Sequence, residues 1–345
     1  MRVAILNNCI PFVKGGAEHL AEALRVKLIE HGHEAALIRI PFQWNPPERI
    51  VEHLLACRLI KLSGVDRVIG LKFPAYHVPH DNKVLWLLHQ FRQAYDLWGT
   101  PYQGIPDTPE GLRIRQAIIQ SDNQFLPEAR NIYTISPVAS ERLKMFNGFD
   151  SKVLYHPLEK SDHLFCAEYG DYLFCPSRIT GGKRQALIVE SFAHVKSGVK
   201  LVIAGQPETP ADQENVTALI RTYRLESKVR FIPNFIAEEE KATLFSTALG
   251  CVYIPYDEDS YGYVTLEAYH SRKPVVTCTD SGGVGLLVRH EETGLVADPT
   301  PEALALAFDR LYESRDEARR LGRAGYDLMM TLGINWPTVI ARLTA

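Results

Sequence analysis

The stretch Asp259-Ser260-Tyr261-Gly262-Tyr263-Val264-Thr265-Leu266-Glu267 decides the reading of this chain. It sets two carboxylates around a tight glycine-aromatic turn, at the start of a helix. Before it, Cys251 to Pro255 reads as a buried strand; after it come the short strand Pro274-Val275-Val276-Thr277 and the paired glycines Gly282-Gly283. Strand, acidic turn, helix, strand and glycine loop form one unit of a parallel sheet, with its polar groups gathered at one edge. Open α/β sheets bind ligands at that edge. A helix start offers backbone N–H groups to an anion, and nearby carboxylates can hold sugar hydroxyls. Phosphate plus sugar points to a nucleotide-sugar site.

Working outward, the same alternation recurs. Arg2 to Leu6 reads as a strand, followed by the loop Lys14-Gly15-Gly16, a helix from Ala17 to Glu30, a cap at Gly32 and a strand from Ala35 to Ile40. Val68 to Gly70, Val84 to Leu88 and Ile132 to Ser136 continue the strands, and Ser140 to Phe146 is helical. Leu154 to Tyr169 breaks the rhythm with Pro157 and mixed charge, so the domain boundary falls there. A second series then begins at Tyr172 to Cys175. Its later members are helix Ala186 to Lys196, strand Lys200 to Ala204, helix Asp212 to Tyr223, strand Val229 to Ile232, helix Ala237 to Thr247 and a helix near Pro301 to Ser314. Two such series mean two doubly wound α/β domains, expected at 1–160 and 161–334. A final amphipathic helix in 335–345 has Trp336, Val339, Ile340 and Leu343 on one face and is free to pack back on the first domain.

The totals fit two soluble domains: 345 residues, 23% charged and 10% aromatic. The net charge of -3 hides an asymmetry. Residues 1–160 hold 19 Lys+Arg against 16 Asp+Glu, or +3; the remainder holds 19 against 25, or -6. No basic run or nucleic-acid signature appears, which excludes that class. The six cysteines form no CxxC pair and read as free thiols in a reducing cytoplasm. There is no signal peptide and no span-length apolar stretch, so the expectation is a cytoplasmic protein that touches a membrane only peripherally, at its inner face.

On these residues the chain resembles the family 4 retaining glycosyltransferases of the GT-B fold. The resemblance is strongest over Pro255 to Pro299, through Glu267-Ala268, Pro274-Val275-Val276, Ser281-Gly282-Gly283 and Thr293-Gly294-Leu295-Val296. It implies an α/β GT-B architecture, with two facing Rossmann-like domains, a cleft between them, and the donor bound mainly by the second. The family's pair of glutamates maps onto Asp259 and Glu267, so the first acid is one methylene shorter here. Leu286 stands where the family has an acid.

The resemblance assigns roles residue by residue. Arg178 and Lys183, at the two ends of Arg178-Ile179-Thr180-Gly181-Gly182-Lys183, clamp the donor diphosphate, and fixed cations stabilise the charge that grows on the leaving group. Glu267 holds the ribose, and Asp259 faces the transferred sugar. The backbone of Tyr261, Gly262, Tyr263 and Val264 meets sugar and phosphate oxygens. Gly15 and Gly16 let the first domain's backbone approach the phosphates. His89, after the Val84 to Leu88 strand, contacts the sugar or acceptor, and His89 to Trp98 places polar and aromatic side chains around the cleft. Asn234 and Phe235 are candidates for the base pocket, with Ser136 on the cleft wall. Each has a plainer reading: a loop charge, a tight turn, a helix-start acid, a core aromatic.

The implied activity is that of a hexosyltransferase acting with retention in polysaccharide biosynthesis. It moves sugar from a nucleoside diphosphate donor to a hydroxyl on a glycan or lipid-linked acceptor. Asp257-Glu258-Asp259 also spells a possible DxD metal motif. In the family, Arg and Lys take the metal's place, so neither metal nor other cofactor is expected. The alternatives are a nucleotide-sugar epimerase or hydrolase on the same fold, and a non-catalytic binder of sugar nucleotides.

Overall fold

Apolar runs bounded by glycine and proline fold as strands, and the amphipathic runs between them fold as helices. A computed structural model describes residues 1–12 and 15–345; Lys14, at the head of the first glycine loop, lies outside the described residues. The chain divides into two units, Met1–Glu159 with Asn335–Ala345, and Lys160–Ile334.

Unit 1 runs β1 (Arg2–Cys9), α1 (Gly16–Glu30), β2 (Glu34–Pro41), α2 (Arg49–Leu59), β3 (Arg67–Gly70), β4 (Lys83–Leu87), α3 (Pro109–Phe125), β5 (Asn131–Thr134), α4 (Pro137–Asn147) and β6 (Lys152–Val153), with α11 (Trp336–Thr344) returning from the far end of the chain. Its sheet has the order β2-β1-β3-β4-β5-β6 with every pairing parallel. β3 and β4 are buried along their whole length. That is why they read as unbroken apolar runs and not as alternating ones. Lys83 is the exception within β4: its ammonium is fully buried and donates to Glu128 at 2.9 Å.

Unit 2 runs β7 (Tyr172–Pro176), α5 (Gln185–Phe192), β8 (Lys200–Ala204), α6 (Pro210–Thr222), β9 (Val229–Ile232), α7 (Glu238–Thr247), β10 (Gly250–Val252), α8 (Gly262–His270), β11 (Val275–Cys278), β12 (Gly294–Ala297), α9 (Pro301–Glu313) and α10 (Arg315–Thr331). Its parallel sheet has the order β12-β11-β10-β7-β8-β9. Read from the other edge, this is the 3-2-1-4-5-6 order of a Rossmann sheet. Two doubly wound parallel sheets are the expected class.

The order fixes where a ligand can sit. In unit 2 the chain winds from β7 outward to β9, then crosses back and adds β10 on the other side of β7. The loops after β7 and β10 therefore leave neighbouring strands in opposite directions, opening a crevice at their carboxyl ends. In unit 1 the equivalent point lies between β1 and β3.

Three helices escaped the sequence reading. α3 has clear start signals, with Thr108 accepting from the Gly111 amide at 3.1 Å and Pro109 at the first position. Its buried face, however, is Gly111, Ile114, Ile118 and Asp122, a stripe whose ends are a glycine and a charge. α10 buries Ala318, Leu321, Gly322, Gly325 and Met329, a face of mostly small residues. α2 buries only Ile50, Leu54 and Cys57. Among the described residues no helix is long and apolar enough to cross a membrane.

α11 is fastened to unit 1 at both ends. Asn335 caps it, accepting from the Thr338 amide at 3.0 Å. The Trp336 indole donates to the Leu158 carbonyl at 2.7 Å and lies edge-on to Trp86. At the far end the Arg67 guanidinium donates to the carbonyls of Leu343 and Ala345 at 3.0 and 2.7 Å, satisfying groups a helix end leaves open. Trp336→Ala removes a buried ring and its hydrogen bond. The expected cost to unit 1 is about 3–5 kcal/mol, seen as a lower urea midpoint for that unit's transition. An unchanged midpoint would show that α11 does not stabilise unit 1.

Candidate functional site

The β7–β10 crevice is built first from the loop after β7. Thr180 accepts from the Lys183 amide and closes a single 3-10 turn over Gly181–Lys183. Arg178 is exposed, and its carbonyl accepts from the Gln185 side chain at 2.9 Å, which fixes the backbone beneath it. Lys183 is held from the β10 side. Its ammonium donates to the Tyr253 hydroxyl at 2.9 Å, sits 5.0 Å from the centre of that ring, and forms an ion pair with Glu258. Burial pulls the Lys183 ammonium down, but Glu258 and Tyr253 outweigh it and hold its pKa above the usual lysine value.

The next residue, Arg184, organises the crevice. Its backbone is left-handed at φ 58, an unfavourable setting for a residue with a Cβ. The guanidinium then reaches across to the acidic loop. It donates to the Ile254 and Pro255 carbonyls at 2.7 and 3.0 Å and forks onto both oxygens of Asp280 at 2.7 and 2.8 Å. One side chain thus joins the loop after β7, the loop after β10 and the turn after β11. The planar, delocalised fork matches that task, whereas a lysine offers a single point charge.

The glycines let these loops meet backbone to backbone. The Gly283 amide donates to the Glu258 carbonyl at 2.6 Å, and the Asp257 amide donates to the Asp280 carbonyl at 2.9 Å. A Cβ on Gly282, where φ is 60, would lie 2.5 Å from the Glu258 oxygen; one on Gly283 would lie 2.6 Å from the Ser260 nitrogen. Gly262, the first residue of α8, has φ 73, and a Cβ there would meet the Tyr253 ring at 2.6 Å. Gly262, Tyr253 and Lys183 therefore form one stack, and a larger residue at Gly262 would dislodge the ring that supports the lysine.

The acidic run lies along this loop and helix. Asp259 is 5% exposed and Tyr261 fully buried, whereas Tyr263, Val264 and Glu267 are partly exposed on α8. Glu267 is paired: the Lys241 ammonium, from α7, donates to its Oε1 at 2.6 Å and to Glu238 at 2.9 Å. Burial pushes the Glu267 carboxyl above the ordinary glutamate value, and Lys241 opposes that rise. Asn234 and Phe235 follow β9, the outermost strand, and both are exposed, Phe235 by 69%. They share the sheet edge with the crevice but leave it two strands from β7. Among the described residues no three His, Cys, Asp or Glu side chains gather as a metal cage.

In unit 1, Gly15 is the N-cap of α1 and Gly16 its first residue; the Gly15 amide donates to Glu18 at 2.8 Å, so Glu18 serves as a capping acid. His89 follows β4, with Nδ1 2.5 Å from the Gln90 carbonyl. The segment His89 to Trp98 differs from its expected role. Phe91 and Tyr95 are core residues, and Arg92 pairs with Asp96. The Tyr95 hydroxyl donates to the fully buried Asp122 at 2.7 Å, and Asp122 also receives Tyr76. The segment was expected to line a cleft, yet its Tyr95 satisfies a buried carboxylate. Ser136 likewise caps α4.

Four residues that shape the crevice were not singled out by sequence reading: Tyr253, Glu258, Arg184 and Lys241. Glu258 was weighed only as the middle of a metal motif. Lys241 stands in the ordinary-looking run Glu238-Glu239-Glu240-Lys241.

Residues 163–328 match the family described as glycosyl transferases group 1. The alpha-1,3/1,6-mannosyltransferase ALG2 of Mus musculus is 26% identical over 119 residues, 34% of this chain and 28% of that protein. Matches to the curated relatives span only 28% to 34% of their length. Among solved structures, sucrose-phosphate synthase from Thermosynechococcus elongatus has a TM-score of 0.79 at 18% identity, covering 99% of this chain and 97% of that one. HepE of Anabaena, solved with UDP and glucose, has a TM-score of 0.71 at 16% identity, covering 100% and 98%. At such identities the structures speak for the fold, which is GT-B.

The clasp is testable by stability. Arg184→Lys keeps the charge and loses the fork, stranding carbonyls of the acidic loop. The expected cost is about 1–3 kcal/mol, read as a lower melting temperature of unit 2. A melting temperature equal to that of the parent protein would show that the fork does not hold these loops.

Proposed function

We propose that this chain, whose residues 163–328 match the group 1 glycosyl transferases, moves a hexose-type sugar from a nucleoside diphosphate donor to a hydroxyl of a glycan or lipid-linked acceptor, with retention of configuration. The observation that carries this reading is the convergence of the Lys183 turn and the start of α8 at the unit 2 switch point. A cation beside a helix N-terminus suits a diphosphate whose negative charge grows as the bond breaks.

In this reading Arg178 and Lys183 hold the diphosphate, and the backbone from Tyr261 to Val264 meets its oxygens. Glu267 accepts the ribose hydroxyls, and Asp259 faces the sugar. The anomeric C–O bond to phosphate breaks, a C–O bond to the acceptor oxygen forms on the same face, and the acceptor proton passes to the leaving phosphate oxygen. The pairing of Glu258 with Lys183 and of Glu267 with Lys241 supports this route over a covalent carboxylate intermediate. The cations do the work a metal would do, so no cofactor is assigned. We place the reaction in cytoplasmic polysaccharide assembly. The +3 charge of residues 1–160 favours peripheral contact with an anionic surface.

The test is a panel of labelled UDP-, GDP- and ADP-sugars incubated with and without glycan acceptors. Sugar transfer only in the presence of acceptor is the expected result. Stoichiometric donor conversion without acceptor would establish an epimerase or hydrolase instead, and tight donor binding without turnover would establish a binding protein. Arg178→Ala is expected to lower kcat by on the order of 10²–10³ with the melting temperature unchanged; full turnover would remove Arg178 from the mechanism.

Glu258 supplies a separate check, because its carboxylate competes with a phosphate for the Lys183 ammonium. Glu258→Gln should tighten nucleoside diphosphate binding by up to about tenfold in a calorimetric titration. Weaker binding would mean that Glu258 assists the donor.

A further inference from the structure

Lys241 and Glu267 stand out among the charged side chains of unit 2. Their side chains are 17% and 12% exposed, and the ammonium lies 2.6 Å from the carboxylate. Withdrawing two charges this far from water gains little stability, since the desolvation cost offsets most of the attraction. The pair joins α7 to α8. A carboxylate that must accept two hydroxyls has to stay ionised, because a protonated carboxyl turns one of its oxygens into a donor. Burial works against ionisation here.

We infer that Lys241 is a positioning residue for the donor, holding Glu267 ionised and oriented so that its remaining lone pairs accept the two ribose hydroxyls. This rests on the reading of Glu267 as the ribose contact. The geometry allows it. Lys241 occupies one lone pair of Oε1, leaving Oε2 and the second Oε1 position, while Glu238 on the preceding turn of α7 anchors the same ammonium at 2.9 Å. Lys241 thereby sets both the angle of the carboxylate and the pH range over which it can bind a diol.

The charged and titratable groups facing Glu267 are Lys241 and Glu238 from α7, His163 from the segment before β7, and Cys251 from β10. Lys241 and His163 favour the ionised carboxylate; Glu238 disfavours it. Removing Lys241 raises the Glu267 pKa further, so ribose binding weakens as pH falls through the new value and returns as pH rises.

The experiment measures, by calorimetry on the full chain, the affinity ratio between a nucleoside diphosphate and its 2′,3′-dideoxy counterpart, using UDP, GDP and ADP from about pH 5.5 to 8.5. Both members of each pair carry the same diphosphate, so its own protonation cancels in the ratio. Lys241→Met should lose discrimination by up to about tenfold per pH unit below the raised pKa and recover it at the alkaline end. Lys241→Arg should retain most of it. A Lys241→Met ratio matching the parent protein at every pH would overturn the inference, and so would a loss of equal size at every pH, which marks a purely structural role. Glu267→Gln separates the underlying reading: it should abolish discrimination throughout. If it discriminates as the parent does, the ribose assignment itself falls, and the role of Lys241 falls with it.

Discussion

The crevice of unit 2 depends on the Arg184 clasp. A parallel sheet determines only that the loops after β7, β10 and β11 emerge at one edge; it does not determine how they face one another. Arg184 does so with five donated bonds, two to main-chain carbonyls, two to Asp280 and one to the Ser281 hydroxyl. The left-handed backbone at this residue costs roughly 1–2 kcal/mol, and charge-assisted hydrogen bonds of about 1.5–3 kcal/mol each offset it. With the clasp in place, the Tyr256 amide reaches the Gly182 carbonyl at 2.8 Å, and the Lys183 turn sits against the acidic loop.

Charge at the site is arranged in pairs. Arg184 meets Asp280, Lys183 meets Glu258, and Lys241 meets Glu267. The partners are not equivalent. Arg184 is committed to carbonyls as well as to its carboxylate, so a ligand cannot take it without opening the loops. Lys183 has one carboxylate and a phenol, and exchanging that carboxylate for phosphate leaves the Tyr253 support intact. Lys241, bridging Glu238 and Glu267, lies between the two cases: its place is fixed, but the free oxygens of its partner are not consumed.

The fold was legible because its signals are local. Val229–Ile232 and Lys200–Ala204 are apolar runs of strand length between polar turns, and each folds as a strand over those same residues. Two doubly wound domains followed from two such series, and the GT-B class from the resemblance over Pro255 to Pro299. Of the helices that escaped notice, α3 and α10 bury glycine, alanine or a charged residue, and α2 buries only three side chains. Asp122 is buried because Tyr76, His77 and Tyr95 converge on it from other elements, which no window of sequence displays. The candidate site divides the same way. Lys183 and Glu267 were named from their setting, whereas Glu258 and Lys241 gain meaning only when a residue 75 or 26 positions away arrives beside them. The paired glycines were read as part of a motif; the structure supplies the reason, a main-chain contact that a Cβ would block.

Net charge is a poor guide to such a site. Residues 161–345 carry a formal charge of -6, which by itself disfavours a diphosphate. Physiological salt screens exposed charges that lie more than ~8 Å from a site. A cation at about 4 Å from a phosphate oxygen contributes about 4 kcal/mol at an effective dielectric of 20. The nearest charges count for most, and the Lys183–Glu258 ion pair is among them, so a cation and its own counter-charge weigh more in the crevice than the domain's distant surplus.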